Sequence, residues 1–267
     1  MKERFLEHNI GIDEYITGNR FIDICEESSV TFCKTDYLPM YNKTNHKVFV
    51  THNSDYHIDQ QKYELGPNVN CWYAQNKDFD APNLHSIPIG LENMRLRTSH
   101  TAANGRYSSE ISGAQAKASL INKINDLCFQ KNKMVYMNFN IRTYPKERSH
   151  VWNCFYDKDW VTRTENLTME RFYMDLASHK FVLSPRGNGI DCHRTWEALY
   201  LRTIPIVKRS INMKEFEDLP IFFVDDWENI CYNKLQEFYD KVENTLYDLS
   251  KMKISYWRNV INEKLLV

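Results

Sequence analysis

Long apolar runs are missing from this chain of 267 residues. No stretch approaches the roughly eighteen consecutive apolar residues that read as a membrane span, and the first eight residues lack the apolar core of a signal peptide. Charge of one sign is missing too. Thirty-four basic residues nearly cancel thirty-five acidic ones, so no global field draws in nucleic acid or an anionic membrane. The seven cysteines are odd in number, widely spaced and without a CxxC pair, which argues against a disulfide framework and against a zinc site. These absences predict a soluble, cytoplasmic protein with no nucleic-acid partner and no stable membrane insertion. Internal repeats, low-complexity tracts and a GxxxxGK[ST] loop are absent as well. Gly187-Asn-Gly189 is followed by Cys192 where a dinucleotide fingerprint requires glycine or alanine.

What remains is an ordinary globular balance, 42% hydrophobic and 26% charged, in a chain long enough for one large domain or two small ones. Short β-rich runs alternate with helical segments, the rhythm of α/β folds with parallel sheets. Strands are expected at 48–51, 70–74 and 85–89, with Pro88 weighing against a central position for the last. Residues 97–115 are small, polar and poorly periodic, and the boundary between an N-terminal domain (1–115) and a C-terminal domain (116–267) is placed there. A helix over about 114–130 and a strand at 134–138 follow. Thr168 can cap a helix bearing Met169, Phe172, Tyr173, Leu176 and Ala177 on one stripe. Strands at 181–183, 204–207 and 221–224 complete a βαβ series, with a helix to about residue 201 between the first two. The last helix is expected to pack back on the N-terminal domain.

The segment carrying chemistry runs from Ser184 to Glu197. A buried strand ends at Ser184, Gly187 and Gly189 allow a tight bend and close approach of a ligand, and the next helix aims unpaired N–H groups at that space. A diphosphate suits such a site. Arg186 and Arg194 can add bidentate contacts, while His193, Arg194 and Glu197 can share one helix face. Glu197, one turn in, could accept hydrogen bonds from both ribose hydroxyls.

Residues 183–207, Leu-Ser-Pro-Arg-Gly-Asn-Gly-Ile-Asp-Cys-His-Arg-Thr-Trp-Glu-Ala-Leu-Tyr-Leu-Arg-Thr-Ile-Pro-Ile-Val, resemble the donor-binding block of exostosin-like glycosyltransferases. The likeness is to a branch of xylosyltransferases that includes enzymes of large algal viruses, in which case the host cytoplasm would be the location. Thr51-His-Asn-Ser-Asp55, Trp72-Tyr-Ala-Gln-Asn76, Ile87-Pro-Ile-Gly-Leu-Glu92, Asn138-Phe-Asn140 with Arg142 and Arg148, and 219–227 resemble the same branch. Arg202 departs from it, since relatives usually carry glycine there. The resemblance implies a GT-B architecture, two small Rossmann-like domains facing a cleft, with the nucleotide-sugar on the C-terminal side and a glycan acceptor on the N-terminal side. It implies inverting transfer, and UDP-xylose as donor. No further cofactor or metal is required.

Inverting transfer needs a base for the acceptor hydroxyl and positive charge for the departing diphosphate. Arg142, Arg186 and Arg194, aided by the helix N-terminus near Asn188, are expected at the leaving group, with Lys208 behind them. Asn138, Ser184, Asp191 and His193 complete the expected donor side. Asp55, in the loop after a strand, is the expected base, with His52 and Glu92 as rivals. Two other readings stay open: a metal-dependent GT-A transferase using Asp78 and Asp80, and a nucleotide- or glycan-binding module without turnover.

Overall fold

The computed structural model describes residues 2–28, 30–40, 47–61, 69–92 and 113–266. Its strands are β1 (Glu3–Arg4), β2 (Thr31–Lys34), β3 (Val48–His52), β4 (Cys71–Ala74), β5 (Leu84–Ser86), β6 (Lys133–Met137), β7 (Val161–Arg163), β8 (His179–Leu183), β9 (Ile204–Lys208), β10 (Phe222–Val224) and β11 (Leu246–Tyr247). The helices are α1 (Gly18–Glu26), α2 (Gly113–Asp126), α3 (Pro145–Phe155), α4 (Met169–Ala177), α5 (His193–Tyr200), α6 (Tyr232–Glu243) and α7 (Ile254–Glu263).

Two parallel sheets organise the chain, one of four strands in the order β2-β3-β4-β5 and one of five in the order β10-β9-β8-β6-β7. This is an α/β protein whose two parallel sheets form two Rossmann-like halves. In the central strands β3, β4 and β8 the apolar side chains are buried whichever way they point, as expected where both faces of a parallel sheet are covered. The order of the second sheet reverses at β6 and β8, because β7 lies outside β6 while β8, β9 and β10 follow one another on the other side. Ligands of open α/β sheets bind beyond the carboxyl ends of the strands at such a reversal.

Several elements differ from expectation. The strand around His85 lies at the sheet edge and ends at Ser86, so Pro88 removes no ladder hydrogen bond. Strand β2 gave no sequence signal because it is a half-buried edge strand, Thr31-Phe-Cys-Lys34, without an apolar run. The helix over Met169–Ala177 is capped as expected, with Thr168 Oγ1 accepting from Arg171 N, while the strand expected at 181–183 starts two residues earlier, at His179. Of the polar stretch 97–115, residues 97–112 lie outside the described residues, and 113–115 begin α2, so the expected boundary falls in that helix's first turn. Both chain ends cross between the halves: β1 pairs antiparallel with β11, and α7 packs on α1. There Ser255 N donates to Glu14 Oε2 at 3.1 Å and Tyr73 Oη to the Val260 carbonyl at 3.3 Å.

Helix α5 ends in a Schellman motif: Thr203 N donates to the Ala198 carbonyl at 2.9 Å and Arg202 N to that of Leu199 at 3.1 Å. The motif requires a left-handed residue, and Arg202 supplies it with φ +58°. The position where the resemblance expects glycine is therefore one whose backbone favours glycine, and arginine there carries conformational strain.

Candidate active site

At the reversal point, the loop after β6 and the loop after β8 meet. Their link is Arg148 on α3, whose Nη1 donates to the Asn140 carbonyl at 2.9 Å and whose Nε donates to the Arg186 carbonyl at 2.8 Å. Arg194, in the first turn of α5, lies close enough for the two positive charges to oppose one another. The guanidinium of Arg148 stands 5.7 Å from the Phe139 ring centroid and that of Arg194 5.9 Å from the same centroid.

These arginines are 5% and 7% exposed, and among the described residues no carboxylate forms an ion pair with either. Arg194 Nε and Arg186 Nε are buried donors without a partner among the described residues. An unsatisfied buried donor costs about 1–3 kcal/mol, and an unpaired buried charge more. Burial, with Arg194 adding to it, holds Arg148 down to about 10, against an ordinary guanidinium value of 12.5. Positive charge is concentrated here, and Glu147, which accepts from Arg186 N at 3.3 Å, is the carboxylate near it among the described residues, without an ion pair to Arg148 or Arg194. The N-terminus of α5 adds to the field, since its N-cap residue, Cys192, makes no side-chain capping bond.

The glycine bend does different work from that expected. A side chain on Gly189 would meet the Asn76 amide nitrogen at 2.7 Å, and one on Gly187 the Arg148 guanidinium at 3.3 Å. The groups approaching these glycines are thus protein groups, one of them from the opposite half. Asp191 N donates to Asn76 Oδ1 at 2.9 Å, and the buried Asp191 carboxylate accepts from Ile89 N at 2.8 Å and from Trp196 Nε1 at 2.8 Å. Burial pushes that carboxyl up to about 7 against these hydrogen bonds. Asp191, expected on the donor side, instead fastens the two halves. Ser184 is likewise internal, with its Oγ 2.9 Å from Thr195 Oγ1.

Glu197 also departs from its expected role. It is fully buried, with Lys117 Nζ of α2 donating to its Oε1 at 2.6 Å and Tyr173 Oη donating to the same oxygen at 3.0 Å. Its carboxylate counters a buried lysine and has no open path to a ribose.

Across the cleft the three expected base candidates line one cavity of about 450 Å³, together with His193 and Gln75. His52 is buried, Nε2 donates to the Pro88 carbonyl at 3.0 Å, and Nδ1 is 2.8 Å from Asn53 Oδ1. Burial lowers this imidazole to about 4. It holds the loop and is a weak base. Glu92 stands 3.7 Å from Lys117 Nζ and 3.9 Å from His193 Nε2, between two cations if His193 is protonated. His193 is fixed by Nδ1, which donates to the Gly90 carbonyl at 2.8 Å. Asp55 is exposed and accepts from Asn188 Nδ2 at 3.2 Å, so its carboxylate stands beside the glycine bend.

Arg186 spans the same gap. Its Nη2 lies 2.6 Å from His57 Nε2, and its guanidinium covers the Tyr144 ring at 4.6 Å. Arg142 is exposed on the turn after β6, where Asn138 Nδ2 donates to Thr164 Oγ1 at 2.9 Å. Lys208 is exposed at the end of β9 and, with Ser184, Arg186 and Thr195, lines a smaller cavity of about 140 Å³. Sequence reading gave no role to Arg148, Lys117, His57 or Asn76. Their partners come from other segments of the chain, and only the resemblance, at Arg148 and Asn76, offered a signal.

The chain matches no protein-family model and no curated protein sequence. Among solved structures it is similar to the UDP-GlcNAc 2-epimerase from Methanocaldococcus jannaschii, with a TM-score of 0.37 and 9% identity over 98% of this chain and 86% of that one.

The Asp78 and Asp80 reading fares poorly in this geometry. Asp80 lies 3.3 Å from Lys77 Nζ and 3.6 Å from Lys214 Nζ, and Asp78 lies 3.5 Å from His57 Nδ1. Lys77 holds the Asp80 carboxyl below its ordinary range. Asp80 already faces two lysines and Asp78 the His57 ring, and the chain is built on two parallel sheets, not one.

Proposed function

We propose that this protein is an inverting, nucleotide-sugar-dependent glycosyltransferase of the exostosin-like kind, moving xylose from UDP-xylose to a hydroxyl of a glycan acceptor. The observation that carries the reading is the buried pair Arg148 and Arg194 at the reversal point of the second sheet, without an ion-pair partner among the described residues, next to His193, which lines one cavity with Asp55.

In this mechanism Asp55 removes the proton of the acceptor hydroxyl as its oxygen attacks the anomeric carbon from the face opposite the diphosphate. The bond from the anomeric carbon to the diphosphate oxygen breaks, and its electron pair leaves with the nucleoside diphosphate. Arg148, Arg186 and Arg194, with the N-terminus of α5, hold that charge where it develops. No covalent enzyme intermediate forms. The bond from Asn188 Nδ2 to the Asp55 carboxylate, at 3.2 Å, holds the base beside the glycine bend.

The test is incubation with labelled nucleotide-sugars and a panel of glycan acceptors, with and without a strong chelator. Chelator-resistant transfer with inversion is expected, and Asp55→Asn lowers turnover about a thousandfold while nucleotide binding persists. Near-normal turnover by that variant would remove Asp55 as base. Binding of nucleotide-sugar with neither transfer nor nucleotide release in any combination would favour the binding module instead.

A further inference from the structure

On the outer side of the second half, away from the cleft residues, α3 places His150 and Cys154 one turn apart on the same face. Facing them is the turn Trp227–Asn229 that follows β10, with Glu228 in it and Asp226 just before it. His150 Nε2 lies 3.8 Å from Cys154 Sγ, 3.9 Å from Glu228 Oε1 and 3.7 Å from Asp226 Oδ1. The donor atoms of His150, Cys154 and Glu228 all lie within 4.8 Å of one another, the one such convergence of three donors among the described residues.

The geometry points to a divalent transition-metal site, best suited to zinc, with His150, Cys154 and Glu228 as ligands and Asp226 or a water completing the tetrahedron. Zinc bonds of about 2.0–2.1 Å to nitrogen, 2.3 Å to sulfur and 2.0–2.2 Å to oxygen place neighbouring tetrahedral ligands roughly 3.3–3.6 Å apart. The spacings from His150 need to close by a few tenths of an ångström, and that between Cys154 and Glu228, at most 4.8 Å, by up to roughly 1.2 Å. One imidazole, one thiolate and carboxylate oxygen form a set that a borderline ion accepts and that magnesium or calcium does not favour. Thiolate and carboxylate together balance the ion's charge. A surface ion pair would account for His150 and the carboxylates but gives no use to the sulfur beside them.

The side chain of His150 is 42% exposed and that of Glu228 67%, so an ion can enter from solvent. Binding would tie α3 to the end of β10. Helix α3 also carries Arg148, so the ion would brace the helix that presents that arginine to the diphosphate pocket. The absence of CxxC spacing hides such a site from sequence, because its ligands pair at i and i+4 on a helix and close with a distant turn.

The experiment uses the full chain, stripped with chelator and desalted, then titrated with Co²⁺. One equivalent is expected to give a near-ultraviolet thiolate-to-cobalt charge-transfer band and tetrahedral visible bands, both removed by Zn²⁺. Cys154→Ser abolishes the charge-transfer band and Cys231→Ser keeps it. His150→Ala weakens zinc binding at least tenfold and Glu228→Gln about tenfold, a range typical for a lost ligand or its support. In the unmutated protein, zinc shields Cys154 from iodoacetamide while the exposed Cys128 and Cys231 stay reactive. A charge-transfer band that survives Cys154→Ser, no band at all, or zinc that leaves Cys154 alkylation unchanged would each overturn the site.

Discussion

Helix α5 contributes to two clusters of buried charge, and they are built on opposite terms. Lys117 and Glu197 are both fully buried and meet at 2.6 Å, with Tyr173 adding a hydroxyl to the same carboxylate and Glu92 a second negative charge nearby. Arg148 and Arg194 are almost as buried, yet they face each other's positive charge with no carboxylate partner among the described residues. The first cluster satisfies itself and belongs to the fold. The second has no ion-pair partner among the described residues, and under the proposed function its charge answers a ligand. Burial of charge by itself distinguishes nothing; whether a counter-charge is present distinguishes structure from function.

Glu197→Ala breaks the comparison at its self-satisfied end. It removes the nearer carboxylate from the buried Lys117, leaving Glu92 at 3.7 Å, and is expected to lower stability by up to about 3–5 kcal/mol, the usual effect of removing one partner of a buried pair. Urea denaturation measures it, and a loss below about 1 kcal/mol would show that Lys117 finds water or another partner. The same substitution would have been expected to weaken nucleotide binding first had Glu197 faced the ribose.

Acid probes the buried groups in a second way. Burial lowers His8, His52 and His179 to about 4 each, against an ordinary value of 6.5. A depressed folded value means that their stabilisation is fully present above pH 6.5 and is lost as pH falls through 4. At full loss the effect is roughly 3 kcal/mol for each, taking about 1.4 kcal/mol per pH unit. Asp191 works the other way, because its raised carboxyl, at about 7, penalises the fold increasingly as pH climbs from 3.8 towards 7. Net stability is therefore expected to fall between pH 6.5 and 4.5, and a flat profile of denaturation midpoints across that range would contradict the neutral, buried state of the histidines.

The smallest expected effect lies at the end of α5. Arg202→Gly relieves a left-handed arginine and forfeits the bond from Arg202 Nε to the His8 carbonyl at 2.9 Å. A net gain under about 1 kcal/mol is predicted, since relief of strain outweighs one half-buried hydrogen bond only slightly. A lower melting temperature for the glycine variant would mean that the tie to His8 matters more than the backbone.

Much of the second half was legible in sequence because its signals are local. Apolar runs mark β6, β8 and β9, Thr168 caps α4, and Ser184-Pro-Arg-Gly-Asn-Gly189 announces a strand, bend and helix. The first half was harder to read, since β2 is a half-buried edge strand and α1 is short. At the site, residue type was readable and pairing was not. Arg186 lines a cavity and Arg194 is buried beside Arg148, while Glu197 and Asp191 turn inward because Lys117, Asn76 and Ile89 arrive from distant segments. Helical spacing put Glu197 and His193 on one face, but spacing cannot say which neighbour that face meets.

The claim that Arg148 and Arg194 form a diphosphate pocket is tested most directly by titration calorimetry with UDP on the unmutated chain and on Arg194→Met. Methionine keeps bulk against Phe139 and removes the uncompensated charge. UDP affinity is predicted to fall at least tenfold, the equivalent of one lost charge-assisted hydrogen bond of about 1.5–3 kcal/mol, while the melting temperature of the ligand-free protein holds or rises. Unchanged UDP affinity, or a variant that loses its fold as Glu197→Ala is expected to, would contradict it.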